Sequence, residues 1–585
     1  MADYHRRNHW PVHTVVLGCF VLLFGFLTIT SSSYNSPTYD ESVHLFAGYS
    51  YLKWADFRAN SEHPPLAKVL AALPLLALDI KDSRPSSPYW DLIPKERDYS
   101  WMAANQMLFS DNDAEKLFFY AKLPMIALGM ILGVFVYLWA KELFAIPAAV
   151  AALFIYGLDP NILAHSPIVH TDIPFTAFLF IGTYFFWRGW NQWTWSNFLL
   201  TSLCFGLATI TKQTFLAIIP IWCLLGLGKI FSSGPVAFHL GEPRVVSSRR
   251  GKTALFMGLF ASCLITAYLF IWAAYGFRFH AAPQEAGRLF AASEEISGRP
   301  ILQALESSAY SYRLFPEAWT HGFIYHMQAL RRPAYLLGEI SDNGFWSYFP
   351  VAFAVKTPLP ILLLLLGAAG LGIFERRALG HRMFLFLPVV VYFLLAVWSR
   401  MNIGLRHLLP IYPFLFVILG GVAAEIWRGG TGIKRGLLIL LGSWYLWSSV
   451  HIYPHYLAFF NELVGGAKNG YKVLTDSSLD WGQDLKGLKR WMDRNGVKRI
   501  QLAYFGTADP KYYGIDALYL PGSIIFSPRP QSEDPDVPNY LAVSVTYIYG
   551  VPSGKPLKDF YKPLKSRKPV ATIGHSILVY RLNSG

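Results

Sequence analysis

The sequence predicts an α-helical polytopic membrane protein of about eleven spans, with helical loops on one face and a small C-terminal α/β domain. Three observations carry this reading: the composition, the recurrence of long apolar stretches, and the one-sided placement of basic residues. Of the 585 residues, 53% are hydrophobic and 16% aromatic, and only 15% are charged. An ordinary soluble domain carries about 25% charged residues. Lipid cannot solvate peptide groups, so each long apolar stretch must pair its backbone internally and form a helix. The formal net charge is +14. Its Lys and Arg lie in short loops between apolar stretches, the pattern of a membrane protein rather than a nucleic-acid-binding surface, and no nucleic-acid partner is expected. Cys19, Cys204, Cys223 and Cys263 all fall inside apolar stretches without metal or redox spacing and read as small packing residues.

Candidate spans cover residues 13–30, 123–141, 146–158, 173–188, 196–211, 214–230, 253–275, 350–373, 383–399, 408–426 and 436–452. The first follows Arg6 and Arg7 but lacks a small-residue cleavage site, so it reads as a retained span. Basic loops hold Arg244, Arg249 and Arg250; Arg376, Arg377 and Arg382; and Arg428, Lys434 and Arg435. Placing these in the cytoplasm puts the N-terminus inside as well. Loops 31–122 and 277–349 and the tail then lie outside. The chain divides into a transmembrane domain, 1–455, and an outer-face α/β domain, 456–585. No fixed-period repeat is visible, which argues against a transporter of two inverted halves.

The first outer loop reads Pro37-Thr38-Tyr39-Asp40-Glu41-Ser42-Val43-His44, two adjacent carboxylates at a helix start. A helix cap is the plain alternative, since negative charge is favoured there. Downstream, Asn60-Ser61-Glu62-His63-Pro64-Pro65-Leu66-Ala67-Lys68 precedes an amphipathic, interfacial segment with Lys68 off its apolar stripe. His170-Thr171-Asp172-Ile173-Pro174 opens the fourth span, and an ionisable group at that depth is either functional or a cap. Topology adds cations at the outer membrane face: Lys212, Lys356, and Arg406 with His407. Snorkelling at helix ends is the alternative for them.

In the tail, 471–474, 499–505, 540–548 and 572–582 read as strands. Asp480 and Gln483 fit a capping box before a helix marked by Leu485, Leu488 and Trp491.

These motifs together resemble the GT-C superfamily of glycosyltransferases, and more narrowly its family 39, the relatives of protein O-mannosyltransferases and lipid A aminoarabinose transferases. Further matching motifs are Tyr335-Leu336-Leu337-Gly338, Lys356-Thr357-Pro358, Asn402-Ile403-Gly404-Leu405-Arg406-His407, Phe460-Asn461-Glu462-Leu463 and Asp480-Trp481-Gly482-Gln483-Asp484-Leu485. Where the aminoarabinose transferases commonly carry Lys before the double Pro, this chain has His63. The resemblance implies a bacterial inner-membrane enzyme with its C-terminal domain in the periplasm. It would transfer a hexosyl or other glycosyl group, with inversion, from a polyprenyl-phosphate donor to a hydroxyl of a protein or glycolipid. It implies Asp40 as the base, with Glu41 beside it. Arg406, His407, Lys356 and Lys212 are then candidates for the donor phosphate. Glu62, His63 and Asp172 would position donor or acceptor, or hold a divalent metal; none is required. Asp480 and Asp484 are acceptor-side candidates. A transporter or flippase of a lipid-linked glycan is the alternative function.

Overall fold

The structure, a computed structural model, describes residues 10–93, 98–239, 244–283, 299–370, 379–522, 525, 538–550 and 559–582. Arg6, Arg7, Arg376 and Arg377 lie outside the described residues. Each of the eleven expected spans falls on a helix or helix pair. Among the described residues, six helices are long and apolar enough to cross a membrane: Val12–Tyr34, Ala114–Phe144, Gln213–Ile230, Arg249–Ala274, Arg382–Ser399 and Leu405–Gly429. Two of the others fall short for physical reasons. Ile146–Leu158 has 13 residues, about 20 Å of helix against a hydrocarbon core of about 30 Å. The segment at 350–373 is broken: Tyr348–Lys356 and Leu359–Ala368 meet at 109°. Pro358 lacks an N–H and forces the preceding Thr357 into an extended conformation, so the helix stops there.

Helix packing relies on small residues. Tyr412–Gly429 runs against Ile146–Leu158 and Ala114–Phe144. A Cβ at Gly420 would strike the Ala148 carbonyl and come within 2.7 Å of Ala152 Cβ. Apolar burial drives no association between helices in lipid, so close backbone approach and van der Waals contact take its place.

Several resemblance motifs turn out to be fasteners. Asn461 donates from Nδ2 to the carbonyls of Ala354 (2.6 Å) and Thr357 (2.8 Å), acceptors left open by the helix break. Tyr335 Oη donates to the Lys472 carbonyl at 3.0 Å, and Leu337 N to the Val473 carbonyl at 3.0 Å. The 277–349 loop is thereby pinned to the tail. Lys68 is buried rather than off to one side. It donates to Tyr51 Oη at 3.1 Å, to the His63 carbonyl at 2.7 Å and to the Asn60 carbonyl, so it holds the loop that carries Glu62 and His63.

The tail forms a five-stranded sheet from β1 (Arg499–Ala503), β2 (Asp516–Tyr519), β3 (Tyr540–Ser544), β4 (Ala571–Ile573) and β5 (Ile577–Arg581), in the order β2-β1-β3-β5-β4. β1 is parallel to β2 and β3, and β5 is antiparallel to β3 and β4. Residues 471–474 do not form a strand: a 3-10 turn covers Ala467–Lys472. The stretch at 540–548 is a strand followed by the helix Val545–Tyr549, and 572–582 is a hairpin turned at Gly574 and His575. The expected capping box is absent as well. The helix begins at Leu485, and Gln483 instead accepts from Trp481 N and donates to the Leu479 carbonyl, both at 2.9 Å.

If the Gly420–Ala148 approach fastens the bundle, Gly420→Leu should lower stability by about 1–3 kcal/mol, the usual cost of overpacking. Thermal unfolding of the detergent-purified protein reads this; an unchanged Tm would mean the helices part there without cost.

Candidate active site

Six chain segments line one polar cleft beside the helix ends. Asp40 precedes the helix Glu41–Trp54, yet its side chain makes no capping hydrogen bond. Its Oδ2 instead lies 3.6 Å from His170 Nε2 and 3.9 Å from Arg406 Nη2. Asp172 begins the helix Asp172–Asn191 and is fully engaged elsewhere. Lys212 donates to its Oδ1; His170 Nδ1 is 2.7 Å and Arg406 Nη1 3.4 Å from its Oδ2. Arg406 Nη1 also lies 2.8 Å from His170 Nε2.

Arg406 is fixed from both sides. Its Nε donates to Ser477 Oγ at 3.0 Å, and its guanidinium stacks 4.4 Å from the Trp481 ring centroid. Gly404, at φ 156°, makes the approach to Ser477 possible: a side chain there would collide with Ser477. The main chain just before Asp40 is zipped to the same segment, with Ser36 N donating to the Gln483 carbonyl (2.8 Å) and Tyr39 N to the Trp481 carbonyl (2.7 Å).

Three imidazoles form one wall. The His44 ring lies 4.7 Å from that of His170 and 6.0 Å from that of His63. A carbonyl can only accept, so His44 Nδ1 donates to Val169 O at 3.0 Å. Glu62, Lys212, Arg332 and His407 complete the lining. The helix Glu317–Gln328 of the 277–349 loop closes over this region: Gly322 packs on the Ser61 carbonyl, and Ser61 Oγ lies 2.8 Å from His321 Nδ1. His63 Nδ1 and His407 Nε2 are buried with no hydrogen-bond partner in the protein. Such atoms are rare unless something else meets them.

Burial pushes the Asp40 carboxyl up, but the His170 side chain and the Arg406 charge outweigh it and hold it well below the ordinary carboxylate range. Burial, reinforced by the positive charges around them, holds His44 and His63 well below the usual imidazole value, so both are neutral at pH 7.

The cleft thus gathers Asp40, Glu62, His63, Asp172, Lys212, Arg406 and His407 from the sequence-predicted set. It does not gather the others. Glu41 points away: its carboxylate accepts from Thr38 N (2.7 Å) and Val169 N (3.1 Å) and sits 3.8 Å from Lys122. Lys356 donates to the carbonyls of Leu457 (2.8 Å) and Ser478 (2.6 Å), because the break at Pro358 aims it into the tail. Asp480 accepts from Thr546 N (3.1 Å) and Asp484 from Ser576 Oγ (2.6 Å), within the C-terminal segment. Burial pushes them up to about 7 and about 6. Trp481, between them, is the residue of that motif that reaches the cleft. Its signal was its place in the shared motif, masked by the capping pattern around it. Among the described residues no three His, Cys, Asp or Glu are grouped to hold a metal. Glu62, His63 and Asp172 share the cleft, but the oxygens of Asp172 are already taken by Lys212, His170 and Arg406.

A second cavity, of about 920 Å³, adjoins the cleft and shares His326, Met401 and His407 with it. Leu216, Ala217, Pro220, Tyr392, Leu395 and Trp398 make its walls apolar, and they come from the spans Gln213–Ile230 and Arg382–Ser399.

Residues 100–236 match the family described as dolichyl-phosphate-mannose-protein mannosyltransferase. The resemblance to the GT-C superfamily is borne out over that segment. No curated protein matches the chain. Among solved structures it is similar to ArnT from Cupriavidus metallidurans in the apo state, with 11% identity, 97% of this chain and 98% of that chain covered, and a TM-score of 0.45. The same protein bound to undecaprenyl phosphate gives 12%, 97%, 98% and 0.44. The Archaeoglobus fulgidus oligosaccharyltransferase in complex with Zn and sulfate gives 14% identity and a TM-score of 0.41; 89% of this chain is covered, and the match spans 58% of that one. Likenesses this remote assign no residue a role.

The buried pairing makes a sharp prediction. Asp172→Asn leaves the Lys212 ammonium uncompensated and should cost about 3–5 kcal/mol, whereas Asp172→Asn with Lys212→Met should recover much of it. Thermal unfolding of both variants checks this; a double variant no more stable than the single would show that the two groups are not coupled.

Proposed function

From the family match over residues 100–236 and the cleft built on Asp40, Asp172 and Arg406, we propose that this chain is an integral-membrane glycosyltransferase. It moves a sugar, with inversion, from a polyprenyl-phosphate donor to a hydroxyl of a protein or glycolipid acceptor. The observation that carries the reading is the union of two unlike cavities. A polar cleft with a carboxylate and fixed cations opens into an apolar groove between two spans. That combination suits a ligand with a phosphorylated sugar head and a long hydrocarbon chain. The expected setting is the bacterial inner membrane, with the N-terminus cytoplasmic and the reaction at the outer face.

In this reading the acceptor hydroxyl attacks the anomeric carbon while the bond from that carbon to the phosphate oxygen breaks. The bonding pair leaves with the polyprenyl phosphate, and the hydroxyl proton passes to Asp40. Arg406 and Lys212, preorganised by Asp172, and Arg332 from the second loop stabilise the growing negative charge on the phosphate. Arg is suited to this because its planar donors match phosphate oxygens in pairs. A carboxylate held so far below its usual range is a weak base for a ground-state alcohol. It suffices when the attacked carbon is already cation-like and the alcohol becomes acidic as its bond forms. Phosphate binding also draws Arg406 from Asp40 and raises the basicity of Asp40 when it is needed.

Incubating membranes with a panel of labelled polyprenyl-phosphate sugars and following label into protein or lipid tests the reading. Asp40→Asn should lower the rate by about 10²- to 10⁴-fold, the usual share of general-base help, with membrane insertion unchanged. Near wild-type transfer by that variant would remove Asp40 from the chemistry.

The pH dependence follows from the direction of the Asp40 shift. Its charged form persists below the ordinary carboxylate value of about 4, so kcat/KM should stay flat on the acid side from pH about 8 to about 5. An inflection between about 5 and 7 would mean that a different group supplies the base.

A further inference from the structure

Another cavity lies along the first outer loop, reached from Glu41 rather than Asp40. Its outer part is a trough of about 640 Å³ between the spans Val12–Tyr34 and Ala114–Phe144. Ile29, Phe118, Phe119, Leu123 and Ile126 line it from the two spans, and Lys122, Lys486 and Glu115 stand at its polar end. It continues into a space of about 380 Å³ that shares Ser32, Asn35 and Lys122 and is lined further in by Ser36, Thr38 and Gln483. Thr38 is 3% exposed, and its Oγ1 has no hydrogen-bond partner in the protein; neither does Asn35 Oδ1.

Along the trough the apolar surface gives way to Lys122 and Lys486, with Glu115 beside them, and then to a mixed inner space that holds the hydroxyls and amides. Lys122 lies 3.8 Å from Glu41, beyond hydrogen-bonding distance, so a nearer anion can take its protons. Lys486 is held at 2.5 Å from Glu115 and also donates to the Ser33 carbonyl at 3.0 Å. Glu115 in turn accepts from Tyr513 Oη at 2.9 Å. Close by, the Arg490 guanidinium covers the Tyr34 ring at 3.8 Å, adding positive charge where the first span ends. The inner end offers hydroxyls and amides beside Ala164, Pro167, Ile168 and Leu457, and the carboxylate of Glu41 lines it. An uncharged polyol tip fits there; a second anionic group would meet Glu41.

We propose that this trough binds an anionic phospholipid with a polyol head group, of the phosphatidylglycerol class, from the leaflet at which the first span ends. Its phosphate sits between Lys122 and Lys486, its acyl chains run along Phe118, Phe119 and Leu123, and its head-group hydroxyls meet Thr38 and Asn35. This site is separate from the donor groove and stands whether or not the transfer reaction does.

The test uses the purified full-length chain in vesicles of phosphatidylcholine with a minority of phosphatidylglycerol, and mass spectrometry of the lipid retained per protein. The wild type should retain phosphatidylglycerol in excess over its share of the vesicle. Lys122→Gln and Lys486→Gln should each reduce the excess by about fivefold, the weight of one lysine near an anionic head group. Glu115→Gln releases Lys486 from its carboxylate and should raise retention, an effect that a merely damaged fold cannot produce. Phosphatidylserine in place of phosphatidylglycerol should be retained less. Retention in proportion to the bulk, variants indistinguishable from wild type, a fall in Glu115→Gln alongside the lysine variants, or equal retention of the serine lipid would overturn the proposal.

Discussion

Everything around the cleft depends on one buried carboxylate, that of Asp172. It is 3% exposed and touches Lys212, His170 and Arg406, each from a different chain segment. In a low-dielectric site an ionised carboxylate without partners would cost several kcal/mol. The folded chain must therefore bring the turn before Gln213, the segment before the Asp172 helix and the turn at Leu405 to the same point. That requirement places three helix ends relative to one another at the level where polar and apolar surroundings meet. It also leaves Arg406 and Lys212 preorganised, so an incoming anion meets cations that no longer need to be ordered.

Around this centre the loop and tail segments are tied by hydrogen bonds as well as by apolar burial. The loop before Asp40 is hydrogen-bonded to Trp481 and Gln483, and the Glu317–Gln328 helix rests on Ser61. Lys68 holds the Asn60–His63 loop from beneath. The C-terminal segment is thus part of the wall of the cleft, through Ser477 behind Arg406 and Trp481 across its face. A site assembled from six distant stretches tolerates little slack, which fits the number of short polar ties between them.

Much of this was legible in the sequence because polar residues beside long apolar stretches are conspicuous. Asp172, Lys212 and Arg406 stand out at predicted span ends and Asp40 in the loop after the first span, and the spans themselves follow from apolar length. Direction is what sequence does not carry. Lys356 reads as an outer-face cation, but the break at Pro358 turns it into the tail. Glu41 differs from Asp40 by one helical step, about 100°, and so faces a different cavity. Lys68 reads as exposed because it lies off the apolar stripe, yet that face is covered by the loop it holds. Trp481 hides inside what looks like a helix cap. The β2 strand, Asp516-Ala517-Leu518-Tyr519, is too short and too irregular in polarity to announce itself.

The central claim is that the polar cleft receives the phosphate of a lipid-linked sugar while the adjoining apolar groove receives its chain. An experimental structure of the protein with a polyprenyl phosphate added tests this most directly. The account predicts phosphate density within hydrogen-bonding reach of Arg406 and Lys212, with the prenyl chain running past His407 between Tyr392 and Leu216. Density for the lipid elsewhere, with the cleft unchanged and Arg406 still beside Asp40, would contradict it.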